Sequence, residues 1–120
     1  MKYYISGIIK NTDFEDAVSM VTELLKEQGF GIITEIDVRE TMKKKLDADF
    51  RKYRILGACN PPFALKALQA EDKIGTMLPC NVIVQEKGRT DIEVAAIDPE
   101  ASMVSVENPS LSDVASEIKK

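Results

Sequence analysis

Two cysteine–asparagine steps, each beside a proline, are the residues best suited to chemistry in this chain: Gly57-Ala58-Cys59-Asn60-Pro61 and Leu78-Pro79-Cys80-Asn81-Val82. A thiol just ahead of a helix N-terminus can have its pKa lowered by the positive end of the helix dipole, which favours a nucleophilic or metal-binding thiolate. The same residues also have a structural reading, cysteine as a small buried apolar residue and asparagine as a helix cap. The sequence contains no histidine. That removes Ser-His-Asp and Cys-His mechanisms and every histidine metal site. Neither Gly-x-Gly-x-x-Gly nor Gly-x-x-x-x-Gly-Lys-[Ser/Thr] occurs, so the usual signals for dinucleotide and nucleoside-triphosphate binding are missing.

Topology decides whether the cysteines cooperate. If their strands run parallel, Cys59 and Cys80 are separated by a strand length of about 17 Å. If the seven residues Lys73 to Pro79, which reach at most about 23 Å, return the chain antiparallel, both lie at one end of the sheet and can share a soft metal or form a disulfide. The helix start at Asn60 is a weak anion site, because Pro61 and Pro62 delete two of its free backbone donors. Arg54 faces a cleft or pairs with a carboxylate across the sheet. Glu35, Asp37, Asp98 and Glu100 are an acid–base or hard-metal group only if they are not occupied as caps and surface charges. Met42, Met77 and Met103 form no repeated pattern and read as packing.

The elements that must position these residues follow from periodicity. Residues 2–9 alternate as a strand, with Tyr3, Ile5, Gly7 and Ile9 on one face. Thr12-Asp13-Phe14-Glu15 fits a capping box, followed by Ala17, Val18, Val21, Leu24 and Leu25 at helical spacing up to Lys26 and Gly29. Residues 31–37 alternate again, and Asp37 with Glu40 opens a second helix carrying Val38, Met42 and Leu46. Lys52–Cys59 is a third strand. Asn60 then caps a helix running to about Glu71, with Phe63, Ala64, Ala67 and Leu68 inward. Cys80–Glu86 and Thr90–Ile97 form a hairpin around Lys87-Gly88-Arg89. A short helix is expected near 99–105, and Asn108-Pro109 opens a final one with Leu111, Val114, Ala115 and Ile118.

With 120 residues, the chain has room for one core, so residues 1–120 are expected to form a single domain. An apolar share of 44% beside 30% charged residues belongs to a folded soluble chain rather than a disordered one. Its longest apolar runs fall short of the roughly 20 residues of a bilayer span, and the N-terminus enters strand alternation without a leader pattern. The expectation is a cytoplasmic protein with reduced cysteines and no membrane partner. A net charge of −4 disfavours nucleic-acid binding, and Lys43-Lys44-Lys45, with Arg51, Lys52 and Arg54, reads as a solvated basic face.

From Gly29-Phe30-Gly31 through Tyr53–Pro61 to Gly75–Val82 the sequence resembles domain-of-unknown-function family 302. Its recognisable core is the Asn60-Pro61 before a helix and the Leu78-Pro79 before a strand. The resemblance implies a compact α/β sandwich of TATA-binding-protein-like fold, a mainly antiparallel sheet and a homodimer. It also favours the topology that brings Cys59 and Cys80 together. It carries over no catalytic residue and no DNA binding.

The combined reading is an α+β fold: one two-layer α/β sandwich with a five-stranded, mainly antiparallel sheet in the order β-α-β-α-β-α-β-β-α. Its expected role is that of a homodimeric module, without cofactor, that binds a small molecule or partner protein near Cys59, Asn60, Cys80, Asn81 and Arg54. The alternative is thiol-dependent redox chemistry or Cu(I)/Zn binding through Cys59 and Cys80. A carboxylate-dependent hydrolase or isomerase has no motif behind it.

Overall fold

Alternating apolar residues in five segments produce five strands, and the computed structural model, which describes residues 3–99, joins them in one sheet. Along the chain these are β1 (Tyr4–Ile9), α1 (Phe14–Glu27), β2 (Gly31–Asp37), α2 (Val38–Leu46), β3 (Tyr53–Cys59), α3 (Pro61–Ala70), a 3-10 turn (Ile74–Met77), β4 (Cys80–Glu86) and β5 (Ile92–Ile97). The spatial order is β1-β5-β4-β3-β2, and every neighbouring pair is antiparallel. This is the α+β, two-layer arrangement expected from the sequence. The expected short helix near 99–105, beyond Pro99, and the helix from Asn108-Pro109 both lie outside the described residues.

α1 makes the core. Phe14, Ala17, Val18 and Val21 recur along one side of the helix and pack on Leu56 and Ala58 of β3, Val82 and Val84 of β4 and Ile92 of β5. Because side chains alternate along a strand, these positions all face α1. The intervening residues, including Ile55, Ile83 and Ala95, share the opposite face. Burial of this apolar stripe is the main driving force holding α1 to the sheet.

The ends of α1 show how local chemistry sets boundaries. Its N-cap is Asp13, whose carboxylate accepts from the Glu15 N–H at 3.2 Å, while the Thr12 hydroxyl donates to the Lys10 carbonyl. At the other end Gly29 has φ +87°, a conformation that favours glycine. The Gly29 N–H donates to the Lys26 carbonyl and the Phe30 N–H to Leu25 at 2.8 Å. These two bonds form a Schellman motif that brings Phe30 back against Leu25. α2 starts where Asp37 accepts from the Glu40 N–H at 3.0 Å, as the capping pattern predicts.

Candidate functional site

The antiparallel pairing of β3 with β4 sets Ala58 opposite Cys80 and Gly57 opposite Asn81. Cys59 therefore lies one residue beyond the partner of Cys80, and the two cysteines share one end of the sheet. The Lys73–Pro79 segment achieves the return by way of the 3-10 turn. Both cysteines are free thiols, each partly exposed, and both line a cavity of about 280 Å³.

The wall of this cavity is almost entirely apolar. Phe30 and Ile33 enter from the start of β2, Ala64 and Leu68 from α3, and Leu78 and Pro79 from the segment before β4. Ile33 reaches the site because the pairing of β2 with β3 slips between Ile32 and Thr34; such a bulge re-aims a side chain. Two alanines on one side of α3, Ala64 and Ala67, leave the space that larger residues would fill, and Ala67 is 1% exposed. Leu68, read as an inward residue of α3, is instead 42% exposed and stands at the cavity wall.

Asn60 is the polar residue of this wall other than the thiols. Its Oδ1 accepts from the Phe63 N–H at 3.4 Å, capping α3. Its Nδ2 lies 3.1 Å from the place a Cβ on Gly29 would take, so the amide packs on the turn that ends α1. Asn60 thus ties α3 to the α1–β2 turn and closes one side of the cavity. Among the described residues no buried side-chain nitrogen or oxygen lacks a hydrogen-bond partner.

Burial is the main cause that pushes the Cys80 thiol above its ordinary value of 9.0, and the charge of nearby Cys59 adds to it. The Cys80 side chain is therefore a neutral thiol at physiological pH, the opposite of an activated nucleophile. Cys80 opens a strand, and the helix dipole that could lower a thiol pKa belongs to α3 after Asn60. Among the described residues, no three Cys, Asp or Glu side chains gather in a metal-binding group, so Cys59 and Cys80 have no third such ligand there.

The other candidates lie elsewhere. Asn81 alternates with Val82 along β4 and lines a groove on the sheet face opposite α1 with Tyr4, Tyr53 and Gln85, and it also borders a smaller cavity with Val82 and Ala96. Asn60 and Asn81 therefore line different, neighbouring cavities. Arg54 is five residues before Cys59, about 17 Å along the strand at roughly 3.3 Å per residue. It makes a two-pronged ion pair with Glu15 at 2.9 and 2.8 Å. Glu35 at 3.1 Å and Asp37 at 3.5 Å complete the cluster, with the guanidinium over the Phe14 ring. The hydrogen bond to Glu15 does most to raise the Arg54 pKa. Arg54 is a structural clamp joining α1, β2 and β3.

Sequence reasoning found Cys59, Asn60 and Cys80 but missed Phe30, Ile33 and Leu78. The signal at Phe30 was present: one large aromatic between Gly29 and Gly31 marks a residue placed by a turn rather than by strand alternation.

The sequence model of the family described as domain of unknown function DUF302 matches residues 8–120. Among solved structures, the chain is similar to an uncharacterized conserved DUF302 protein from Bacillus stearothermophilus. The two are 25% identical, with a TM-score of 0.89, over 99% of this chain and 91% of that one. A search of curated proteins finds no match.

Proposed function

The chain belongs to the DUF302 family, and from its own geometry we propose that it is a non-enzymatic binding module for a small, neutral, apolar molecule held between β2, α3 and the start of β4. The observation that carries this reading is the cavity of about 280 Å³ walled by Phe30, Ile33, Leu68, Leu78 and Pro79. Its one amide, Asn60, is already engaged as a cap. Ligand sites combine an apolar wall with a few polar groups, and this wall favours shape and apolar contact over charge. Scaled from a cavity of about 150 Å³ that takes benzene, the volume suits a guest of roughly eleven carbon atoms.

Naphthalene, whose fluorescence reports its environment, is a direct probe. It is expected to bind the wild type, and Leu68→Trp, which fills the cavity from an exposed helix position, is expected to abolish binding without loss of fold. Binding unaltered in Leu68→Trp, or no binding to the wild type, refutes the reading.

The module works as a cytoplasmic homodimer in this proposal. What supports the dimer is the face opposite α1, where Ile36, Ile55, Ile83 and Ala95 form a row across four strands. Ile8 and Ile36 on this face are 49% and 48% exposed, an arrangement suited to pairing with a second copy. A strict monomer in sedimentation at high concentration removes the dimer.

A second reading, redox chemistry or Cu(I)/Zn binding by Cys59 and Cys80, draws support from their shared cavity. It needs thiolates, which the raised Cys80 pKa opposes, and for zinc it needs further ligands. Titration of both thiols with a soft-metal probe at neutral pH separates the readings: one tightly bound metal per chain favours the thiol function.

A further inference from the structure

A second cavity, of about 160 Å³, lies beside the first. It sits at the same end of the sheet, bounded by Ile5 of β1, Leu25 of α1, Val82 of β4 and Ala96 of β5. The two cavities have three residues in common, Phe30, Ala58 and Cys80. Ala58 and Cys80 face each other across β3 and β4, and neither has a side chain long enough to wall one cavity from the other. Among the described residues, Phe30 is the only large side chain shared by both. Its backbone is held by the hydrogen bond to Leu25, while the ring lies between the two spaces.

We propose that the ligand is one elongated saturated chain, running from the Leu68–Leu78 cavity past Phe30 into the space beside Val82 and Ala96. This deepens the binding function proposed above and rests on it. Three features argue for a chain over a compact ring. The spaces are adjacent, and two of the lining residues they share, Ala58 and Cys80, have small side chains, which suits a guest one methylene thick. Apart from Asn81, every described residue lining the second cavity is apolar or the neutral thiol of Cys80, so the lining suits a saturated tail. The second space also adds more than half the volume of the first. At the packing of benzene in its cavity, the capacity rises from about eleven carbons to about seventeen.

Alkyl dimethylamine oxides of eight to sixteen carbons, each kept below its micelle concentration, test this by displacement of naphthalene or by calorimetry. Each methylene buried at about 0.8 kcal/mol raises affinity about fourfold. The expected result is a rise that continues through sixteen carbons. In Ala96→Phe, which plugs the second cavity from β5, the rise is expected to stop near eleven carbons while shorter chains bind as before. Ile5→Trp does the same from a position that is 54% exposed, and it serves if Ala96→Phe fails to fold. A wild-type rise that stops near eleven carbons overturns the elongated ligand and leaves the apolar cavity function standing. An undiminished rise in both plugged variants also overturns it. Absence of binding at every length, together with failure of naphthalene to bind, removes the underlying function as well.

Discussion

Replacing Gly57 with alanine tests how tightly the sheet end beneath the cavity is built. A Cβ added at Gly57 comes within 2.7 Å of Pro79 Cγ and meets Thr34 Oγ1 more closely still. Thr34 stands directly opposite Gly57 in β2, and Pro79 is part of the cavity wall. Rotation of Thr34 about χ1 relieves the hydroxyl contact, but its own Cβ remains 3.4 Å away and the proline ring has no such freedom. Overpacking of this kind costs about 1–3 kcal/mol, and alanine recovers about 0.5–1 kcal/mol through its lower unfolded-state entropy. Two contacts under 3.0 Å place the overpacking cost at about 2–2.5 kcal/mol, so the net loss is about 1–2 kcal/mol. An unfolding entropy of about 2.1 cal/mol/K per residue converts this to a fall of roughly 4–8 °C in Tm for a chain of this size. Thermal unfolding followed by circular dichroism reads the shift. Thr34→Ala in the same chain is expected to restore part of it, and naphthalene affinity is expected to fall as Pro79 is displaced. A Gly57→Ala protein that melts at or above the wild-type temperature refutes the reasoning.

Three further outcomes follow from the same structure. Leu56→Ala removes a side chain that is 1% exposed beneath α1; the expected loss is about 2–5 kcal/mol in denaturant unfolding, and a loss below 1 kcal/mol contradicts the core described here. Arg54→Met leaves Glu15, Glu35 and Asp37 facing one another, but their exposure to solvent limits the cost to about 1–2 kcal/mol. Glu15→Gln added to Arg54→Met is expected to cost little more, and full additivity argues against the clamp. Because the folded Cys80 pKa lies above 9.0, the unfolded chain releases this proton first as pH rises. Stability therefore falls above about pH 9 and is unaffected below it. Cys80→Ala is expected to lose that alkaline slope, measured by urea unfolding between pH 7 and 10, and a slope equal to that of the wild type rejects the assignment.

Much of the fold was legible because its signals are local. Asp37 announces α2 by a side-chain bond three residues long, and Gly29 marks the end of α1 by a backbone conformation that few other residues adopt. The cap of α1 was placed by its box pattern at Thr12, yet the adjacent carboxylate of Asp13 takes the role, since two neighbouring side chains competed for one turn. The cysteine pair was harder. Local periodicity describes β3 and β4 equally well as parallel or antiparallel, and only the path of Lys73–Pro79 decides. Asn81 resembled Asn60 in its dipeptide, but one sits in a strand and the other caps a helix, so Asn81 borders the neighbouring space and not the cavity of Asn60. The cavity itself had no sequence signature, because Phe30, Ile33 and Leu78 meet through a turn, a bulge and a return loop rather than through any one period.

The central claim, a neutral apolar guest beneath α3, is tested most directly by methyl nuclear magnetic resonance of the alanine and leucine side chains during titration with naphthalene. The account predicts saturable shifts at Ala58, Ala64, Ala67, Leu68 and Leu78, with Ala95 on the opposite sheet face unchanged. Shifts centred on Ala95, or none that saturate at the five cavity methyls, contradict it.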